Sequence, residues 1–366
     1  MAGQVPLEES NVALINSDLA KEVRAAAAEF EAEFDGAGAG PGIEVWRSEN
    51  LGIKRWPKDD YGSFFQGDSY IVLHTYKEGD SDALRHNVHF WLGTDTSQDE
   101  AGVAAYKTVE LDDKLGQLPV QYREVQGYES AEFLELFPPA MIIMQGGIDS
   151  GFNHVEPTEY KPRLLQCKGL RKKVRVVEVP LALSSLNNGD VFVLDNGLQL
   201  WQWNGTEAGV FEKRQANEII AAVKSDRKGK PSTQILDGEE ECDEFWALLG
   251  GMGEIASAEA GGPDDVEGGE KKLLKLSDES GSLELSEVAS GDSVSKDLLD
   301  TNDVFLLDDR GLALFVWVGD GASKDERAQA FQHANEYITK TGLSWGTPVS
   351  RVTESGTSKA FENCFL

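Results

Sequence analysis

Three pairs of carboxylates recur in this sequence at matching positions. In each pair an aspartate precedes a short apolar run, and a glutamate lies seven residues after the glycine of a Trp-x-Gly tripeptide. The pairs are Asp68 with Glu100, Asp190 with Glu212, and Asp303 with Glu326. Self-similarity over so long a period indicates one supersecondary unit that is used three times. The chemistry of these carboxylates should therefore be interpreted repeat by repeat.

Two carboxylates at close range repel each other unless a cation lies between them. A hard divalent ion such as Ca²⁺ collects about 6–8 oxygen ligands at about 2.3–2.6 Å, so paired carboxylates suit it. The small residue before each aspartate lets the chain wrap closely round an ion and offer a backbone carbonyl. These residues are Gly67, Gly189 and Asn302. The pattern favours a calcium site in each repeat; the alternative is a solvated turn aspartate beside a glutamate that stabilises a helix start.

The carboxylates need elements that bring them to one end of a sheet. Each repeat has two apolar runs rich in β-branched and aromatic residues, which predict adjacent central strands. They cover 70–73 and 87–92, 191–194 and 198–203, and 304–307 and 312–318. Long helices are predicted over 98–115, 210–224 and 324–340, and short ones over 130–136, 240–249 and 359–365. The predicted fold class is α+β, with three tandem domains that each hold a central mixed sheet between a long and a short helix.

Length and the spacing of the repeats predict three domains, because 366 residues can bury several cores. A glycine-rich joint and a second stretch rich in glycine and acidic residues mark two connections. The predicted boundaries are an N-terminal arm or helix over 1–42, domain 1 over 43–160, domain 2 over 161–255, an acidic flexible linker over 256–270 and domain 3 over 271–366.

Composition narrows the class of protein. The chain has 64 acidic against 34 basic side chains, a net charge of −30 at pH 7. This charge argues against attraction to nucleic acid or an anionic membrane through the whole-molecule field. No stretch approaches the roughly 18 apolar residues of a transmembrane helix, and the N-terminus lacks a signal-peptide pattern. The three cysteines lack disulfide or metal-ligand spacing, so we expect reduced thiols and a cytoplasmic protein.

The predicted helix over 98–115 is apolar over an unusually wide arc. One stripe, Ala101, Ala104, Leu111 and Leu115, suits its own sheet. A second apolar face carries Val103, Tyr106 and Val109, and it needs a partner. That partner is either another protein or, as an alternative, the N-terminal arm or another domain of this chain.

A basic segment stands against the overall acidity. Six basic residues and no acidic residue lie between 163 and 175. The segment suits an acidic partner or a lipid headgroup, and the alternative is a solvated strand edge. Histidines are scattered, and neither a nucleophile motif nor a phosphate-binding loop is present, so the sequence does not predict an enzyme.

These features together resemble the gelsolin/villin superfamily, and specifically its three-domain severin and fragmin type. The resemblance covers about residues 43–366. Its most specific runs are 91–93 with 97–100, 109–113, 123–130, 146–152 and 187–190. It implies a cytoplasmic, cytoskeletal, monomeric protein that binds actin monomers and filaments. Calcium-regulated severing, barbed-end capping and nucleation follow from the same resemblance, without covalent chemistry.

The resemblance also implies roles for individual residues. Calcium ligands would be the Gly67 carbonyl, Asp68, Glu100 and the Ile148 carbonyl in domain 1; the Gly189 carbonyl, Asp190, Glu212 and a linker carboxylate, Asp264 or Asp265, in domain 2; and the Asn302 carbonyl, Asp303 and Glu326 in domain 3. A further site shared with actin would use Asp112 and carbonyls near Gln117 and Pro119. Actin contacts would be Val103, Ala104, Tyr106, Lys107 and Phe152. Contacts to the filament side or to phosphoinositides would be Arg163, Lys168, Arg171, Lys172 and Lys173.

The sequence departs from the family pattern in two places. Val191 and Asn204 stand where secreted vertebrate members carry a disulfide, which supports an intracellular form. The basic stretch expected before Gly146 is absent, so phosphoinositide binding would rest on the segment 163–175. Two functional alternatives stay open at this point, namely capping without severing and a calcium-binding scaffold that has lost actin binding.

Overall fold

The computed structural model describes residues 31–49, 51–79, 82–147, 162–262, 268–277, 284–356 and 358–365. These residues form two compact units. The first contains the described residues up to Asp59, then Asp68–Glu129, and those from 268 onward. The second contains Asp60–Gly67 and the described residues between Ser130 and Gly262. Most of predicted domains 1 and 3 lies in the first unit, and predicted domain 2 lies in the second.

The strands and helices follow the predicted order within each repeat. The first repeat has β1 (Gly42–Glu49), β2 (Gly52–Arg55), β3 (Ser63–Phe65), β4 (Ser69–Lys77), β5 (Leu84–Leu92), α1 (Gln98–Lys114), β6 (Val120–Val125), α2 (Ala131–Leu134) and β7 (Ile142–Met144). The second has β8 (Arg163–Lys168), β9 (Arg175–Val179), β10 (Val191–Asn196), β11 (Gln199–Asn204), α3 (Val210–Asp226), β12 (Ser232–Asp237) and α4 (Asp243–Leu248). The third has β13 (Lys272–Ser277), β14 (Glu284–Ser290), β15 (Val304–Asp309), β16 (Ala313–Val318), α5 (Lys324–Thr341), β17 (Val349–Thr353) and α6 (Lys359–Asn363).

The first unit is built on one mixed sheet. Over its described residues the strand order is β14-β13-β15-β16-β17-β6-β5-β4-β1-β2. The two predicted central strands of each repeat are antiparallel neighbours, β4 with β5 and β15 with β16. The strand after each long helix returns parallel, as β6 on β5 and β17 on β16. The two halves join where β17 pairs antiparallel with β6, so the sheet continues from the first repeat into the third.

The second unit has its own mixed sheet, ordered β12-β11-β10-β8-β9-β7-β3 among its described residues. Strand β8 lies inside this sheet and pairs with both β10 and β9. The interpretation of the whole basic segment as a solvated strand edge is therefore wrong for residues 163–168, because an interior strand has neighbours on both sides. Val191 and Asn204 face each other across β10 and β11, but neither is a cysteine.

Each long helix covers its sheet with small and branched apolar residues. In α1, Ala104, Ala105 and Leu111 are buried in the core of the first repeat. The matching residues of the other long helices are Ala216, Ile219 and Ile220 in α3 and Ala330, Ala334 and Ile338 in α5. The structure corrects the helix-face prediction in one detail, because Val103 also packs partly against the core of its own repeat.

The end of the predicted N-terminal arm packs on the first repeat. Residues 1–30 of the predicted N-terminal arm or helix lie outside the described residues, and Ala32–Phe34 form a turn of 3₁₀ helix capped by Glu31. Phe34 is fully buried and meets Trp46 edge to face at 5.1 Å between ring centroids. An aromatic anchor of this kind fixes the segment against the sheet.

Candidate calcium sites and partner-binding surfaces

The strand-start aspartate and the Trp-x-Gly glycine are joined in the same way in all three repeats. The glycine N–H donates to the aspartate carbonyl, from Gly93 to Asp68 at 3.1 Å, from Gly205 to Asp190 at 3.0 Å and from Gly319 to Asp303 at 3.1 Å. A Cβ at Gly319 would lie only 2.2 Å from the carbonyl oxygen of Thr301. A side chain at this position would therefore push the two strand ends apart. A Cβ at Gly205 would likewise lie 2.4 Å from the Asn188 carbonyl oxygen, which gives a physical reason for the glycine in repeats 2 and 3.

The glutamates all begin their helices. Each accepts a hydrogen bond at Oε2 from the N–H of the residue three before it, Ser97 to Glu100 at 3.2 Å, Gly209 to Glu212 at 2.8 Å and Ser323 to Glu326 at 2.9 Å. The glutamates therefore do stabilise the helix starts, as the alternative interpretation predicted. The solvated aspartate of that alternative is not present, because Asp68 and Asp190 are completely buried and the Asp303 side chain is only 13% exposed.

Repeat 2 brings its two carboxylates to neighbouring residues of one strand end. Asp190 accepts a hydrogen bond from Lys168 Nζ at 3.1 Å, and Glu212 accepts one from the Gly169 N–H at 2.9 Å. Asp190 also accepts from Gln166 at 2.5 Å and Asn187 at 2.7 Å. Both carboxylates are fully buried. Burial, followed by the charges of Glu212 and Asp190, raises the pKa of the Cys167 thiol, so that thiol stays protonated.

The first part of the predicted linker lies against this site. Lys168 Nζ donates to the Gly262 carbonyl at 2.9 Å while it holds Asp190. A Cβ on Gly261 would come within 3.0 Å of Asp190 Oδ2. The predicted linker ligands Asp264 and Asp265 follow directly in sequence, but they lie outside the described residues.

Repeats 1 and 3 also place a basic side chain beside the aspartate at the strand start. Lys275 Nζ lies 3.0 Å from Asp303 Oδ2, and Arg47 Nη1 lies 3.6 Å from Asp68 Oδ2. Tyr70 also donates its hydroxyl to Asp68 at 3.0 Å. The predicted carbonyl ligand of Ile148 is outside the described residues.

Each aspartate is thus paired with a basic residue on the strand beside its own, Arg47 on β1, Lys168 on β8 and Lys275 on β13. The sequence pattern indicated no role for Arg47 or Lys275, and the predicted role of Lys168 was contact with the filament side or with phosphoinositides. A basic residue in the first long strand of every repeat was the available signal, but only strand pairing connects it to the aspartate.

The donors at these sites fit a hard divalent cation. They are carboxylate and carbonyl oxygens, which calcium prefers, and they carry more negative charge than the single cation of each site neutralises. The described residues contain no cluster of three or more His, Cys, Asp or Glu that would form a metal site alone. The remaining ligands would therefore be carbonyls, linker residues or water, and the basic side chain would have to move away.

A fourth predicted site centres on Asp112 near the end of α1. Asp112 is 3% exposed, and its Oδ2 lies 3.4 Å from Arg351 Nη1 on β17. Burial raises the pKa of Asp112 to about 6, although the charge of Arg351 opposes this rise. Gln117 donates its N–H to the Asp112 carbonyl at 2.9 Å; Gln117 is exposed, whereas Pro119 is buried.

A second arginine strengthens the same junction. Arg123 on β6 is 1% exposed and donates from Nη2 to the carbonyls of Trp345 at 2.9 Å and Thr347 at 2.8 Å. Its guanidinium also lies over the Trp345 ring, 5.4 Å from the ring centroid. The loop before β17 is therefore held on the first repeat by a buried charge-assisted contact.

The predicted actin contacts on α1 differ in exposure. Ala104 is fully buried in the core, so its side chain is not available to a partner in this conformation. Val103, Tyr106 and Lys107 are half-buried. Lys107 Nζ lies 2.6 Å from Glu31 Oε2 and 2.8 Å from Glu110 Oε2. Phe152 lies outside the described residues.

The predicted basic surface is smaller than the sequence indicates. Arg163 pairs with Asp195 at 3.3 Å, and Lys168 is engaged with Asp190. Arg171, Lys172 and Lys173 form an exposed turn of 3₁₀ helix, where Lys172 contacts Glu135 at 2.6 Å. The exposed basic surface of this segment is therefore centred on residues 171–173.

In the part of the chain that the structure describes, no helix is long and apolar enough to cross a membrane.

The fold and the sites define a protein of three repeated α+β modules with a carboxylate pair in each. The family profile described as Gelsolin repeat matches residues 57–134, 172–246 and 286–362. The chain therefore belongs to the gelsolin family, and the prediction of the family and of its α+β fold class is confirmed.

Two relatives of different lengths agree with this family assignment. The chain is 42% identical over 357 residues to Gelsolin-like protein 1 of Lumbricus terrestris. This alignment covers 97% of this chain and 95% of that protein. It is 39% identical over 343 residues to Gelsolin of Gallus gallus, covering 91% of this chain and 43% of that one. A solved complex, titled Thorarchaeota 2DGel3/rabbit actin complex, aligns at 20% identity and a TM-score of 0.24 over 57% of this chain and 100% of that chain.

Proposed function

We propose that this protein binds actin monomers and filaments, severs filaments, caps their barbed ends and nucleates new ones, under the control of calcium. The proposal rests on one observation above all. Each of three gelsolin repeats carries the same carboxylate pair, at a strand start and a helix start, and each aspartate is held by an internal cation. The action is binding rather than covalent chemistry, and we place it at the actin cytoskeleton of the cytoplasm, carried out by a monomer.

Calcium would act by replacing the internal cations. Asp190 with Glu212 and the Gly189 carbonyl would hold an ion in repeat 2, and the matching residues would do so in repeats 1 and 3. An incoming divalent ion contributes two positive charges where the lysine or arginine contributes one, so it compensates both carboxylates of a pair. The basic residue, once released, no longer ties its strand end to the aspartate.

The junction between β6 and β17 supports a regulated form. We propose Asp112 as a ligand of a calcium ion that is shared with actin. In this structure its carboxylate forms an ion pair with Arg351. Arg123 holds the loop that precedes β17. While these contacts persist, Asp112 is not available for a shared ion, so release of repeat 3 from repeat 1 would accompany activation.

The exposed turn at residues 171–173 supports a subsidiary role in contacting the filament side or phosphoinositide headgroups. Its positive charge acts over about 8 Å at physiological ionic strength, so distant acidic surface does not cancel it.

Imaging of labelled actin filaments with and without calcium tests the proposal. We expect filaments to shorten abruptly and their barbed ends to stop growing in calcium, and to be unaffected in chelator. Stalled growth without breakage would favour capping alone. No effect on filaments together with measurable calcium binding would favour the scaffold alternative.

A further inference from the structure

The N-terminal segment makes a specific contact with the helix that carries the proposed actin contacts. The two lysines of α1 are Lys107 and Lys114, and each faces an acidic residue of the segment 31–35. Lys107 Nζ lies 2.6 Å from Glu31 Oε2, and Lys114 Nζ lies 3.4 Å from Asp35 Oδ1. We name residues 31–35 the acidic clip.

The two ion pairs differ in environment. The side chains of Lys107 and Glu31 are 12% and 20% exposed, whereas those of Lys114 and Asp35 are 36% and 83% exposed. An exposed pair is screened by water and salt and contributes little, while a partly buried pair is screened less. The contact between Glu31 and Lys107 is therefore the one that a competitor must overcome.

The clip is held in place by contacts that do not involve α1. Phe34 is fully buried and packs on Trp46. The Glu33 carbonyl accepts from Trp46 Nε1 at 2.8 Å, and the Glu33 carboxylate accepts from the Arg55 N–H at 3.0 Å. Because these contacts fix the backbone, Glu31 is presented to Lys107 at little entropic cost.

Lys107 has two acidic neighbours, and only one of them is exchangeable. Glu110 lies one turn along the same helix and is 2% exposed, so it stays beside Lys107 in any state that keeps α1 folded. Burial lowers the pKa of Lys107, but hydrogen bonds to Glu110 and Glu31 raise it to a net value above the usual one, so the ammonium is retained. Glu31 is on a separate segment and is free to be replaced by another carboxylate.

We propose that the face of α1 around Lys107 docks an acidic group of actin and that Glu31 occupies the place of that group until actin arrives. This inference rests on the proposed function, and it adds a built-in competitor that weakens the docking. The occupant is argued from charge, since a carboxylate already fills the position and a second one would satisfy Lys107 in the same way.

The test uses the full chain and calcium-saturated binding to fluorescently labelled actin monomers. Glu31→Gln keeps the shape of the side chain and removes its charge, so we expect binding about three- to fivefold tighter than the parent. Glu33→Gln is the matched control, because its carboxylate bonds the Arg55 N–H and not α1, and we expect parental affinity. Melting temperatures confirm that both variants fold.

A second variant separates competition from a general change in charge. Lys107→Met should weaken binding, and Glu31→Gln added to Lys107→Met should then have no further effect, because the residue for which the two acids compete is gone. If the parent binds actin and Glu31→Gln binds it with the same affinity, the inference is overturned and the proposed function remains intact. An equal gain from Glu31→Gln with and without Lys107 has the same consequence. No binding of actin by the parent overturns both.

Discussion

The carboxylate of Asp112 lies 3.4 Å from the guanidinium of Arg351, although 239 positions separate the two residues in the sequence. Asp112 lies near the end of α1 in the first repeat, and Arg351 belongs to β17 in the third. The contact lies next to the pairing of β17 with β6. The ion pair therefore forms only while the first and third repeats share one sheet. It also withholds a carboxylate that we propose as a ligand for a calcium ion shared with actin.

Replacing Arg351 by Gln should make the protein more sensitive to calcium. The change leaves the buried Asp112 carboxylate without its cation, which costs the joined arrangement about 1–3 kcal/mol. We expect the calcium concentration for half-maximal actin-monomer binding to fall about fivefold or more. Arg310→Gln is the control, because the Arg310 side chain is 58% exposed and its Nε lies 4.0 Å from Asp309 Oδ1, not beside Asp112. An unchanged or higher calcium midpoint in Arg351→Gln would contradict the proposed competition.

The stability of the calcium-free protein should depend on pH through Asp112. Because burial raises the pKa of Asp112 to about 6 in the fold, the folded protein keeps this proton at pH values where the unfolded chain has lost it. The contribution of this group to stability is therefore present below about pH 4 and is lost as the pH rises through about 6. Asp112→Asn keeps a neutral side chain at every pH and should remove that loss.

Thermal melting between pH 4.5 and 7.5 in chelator checks this expectation. The stability gained by Asp112→Asn relative to the parent should grow with pH to at most about 2–3 kcal/mol and level off above about pH 7. Asp113→Asn removes a smaller charge contribution to the pKa of Asp112, so its pH profile should shift only slightly from that of the parent. Parallel pH profiles for the parent and Asp112→Asn would show that Asp112 does not titrate in this range.

Lys168→Met should have opposite effects with and without calcium. Methionine keeps the aliphatic stem but lacks the ammonium, so the fully buried Asp190 loses its cation and the calcium-free protein should lose about 1–3 kcal/mol. With calcium present, the ion no longer has to displace an amine, and the affinity of the repeat 2 site should rise. Calorimetric calcium titration and melting in chelator measure the two effects.

The exposed Lys172 supplies the control for this experiment. Its side chain is 74% exposed and pairs with Glu135, so Lys172→Met should leave calcium affinity unchanged. A calcium affinity that falls in Lys168→Met would show that Lys168 supports the site instead of competing for it.

Replacing Arg171, Lys172 and Lys173 together by Ala should slow filament severing and weaken phosphoinositide inhibition. The fold should be retained, because all three side chains lie on an exposed turn. Loss of positive charge mainly lowers the rate of encounter, so monomer binding through α1 should stay near the parental value. Filament imaging with and without phosphoinositide vesicles measures both effects. Parental severing together with a parental lipid response would leave this turn with no role in either contact.

Much of the fold was predictable because its signals are local. Apolar runs bounded by Asp and Gly predicted the central strands, and the long helices were predicted after each Trp-x-Gly. Asp68, Asp190 and Asp303 each recur with a glutamate that follows a Trp-x-Gly. This repetition predicted that the start of the strand and the start of the long helix lie at one end of the sheet. The ligands proposed at Ile148, Asp264 and Asp265 stay predictions, as does Phe152.

The sequence alone therefore determined the repeated module, its secondary structure and its carboxylate pairs, since these depend on neighbours in the chain and on a pattern used three times. Only the tertiary structure decided which cations hold the carboxylates and which surfaces are covered. Arg351 reaches Asp112 because β17 extends the sheet at β6, and Glu31 reaches Lys107 because Phe34 is anchored on Trp46. Such contacts depend on strand register and packing between distant segments, and no local period in the sequence specifies them.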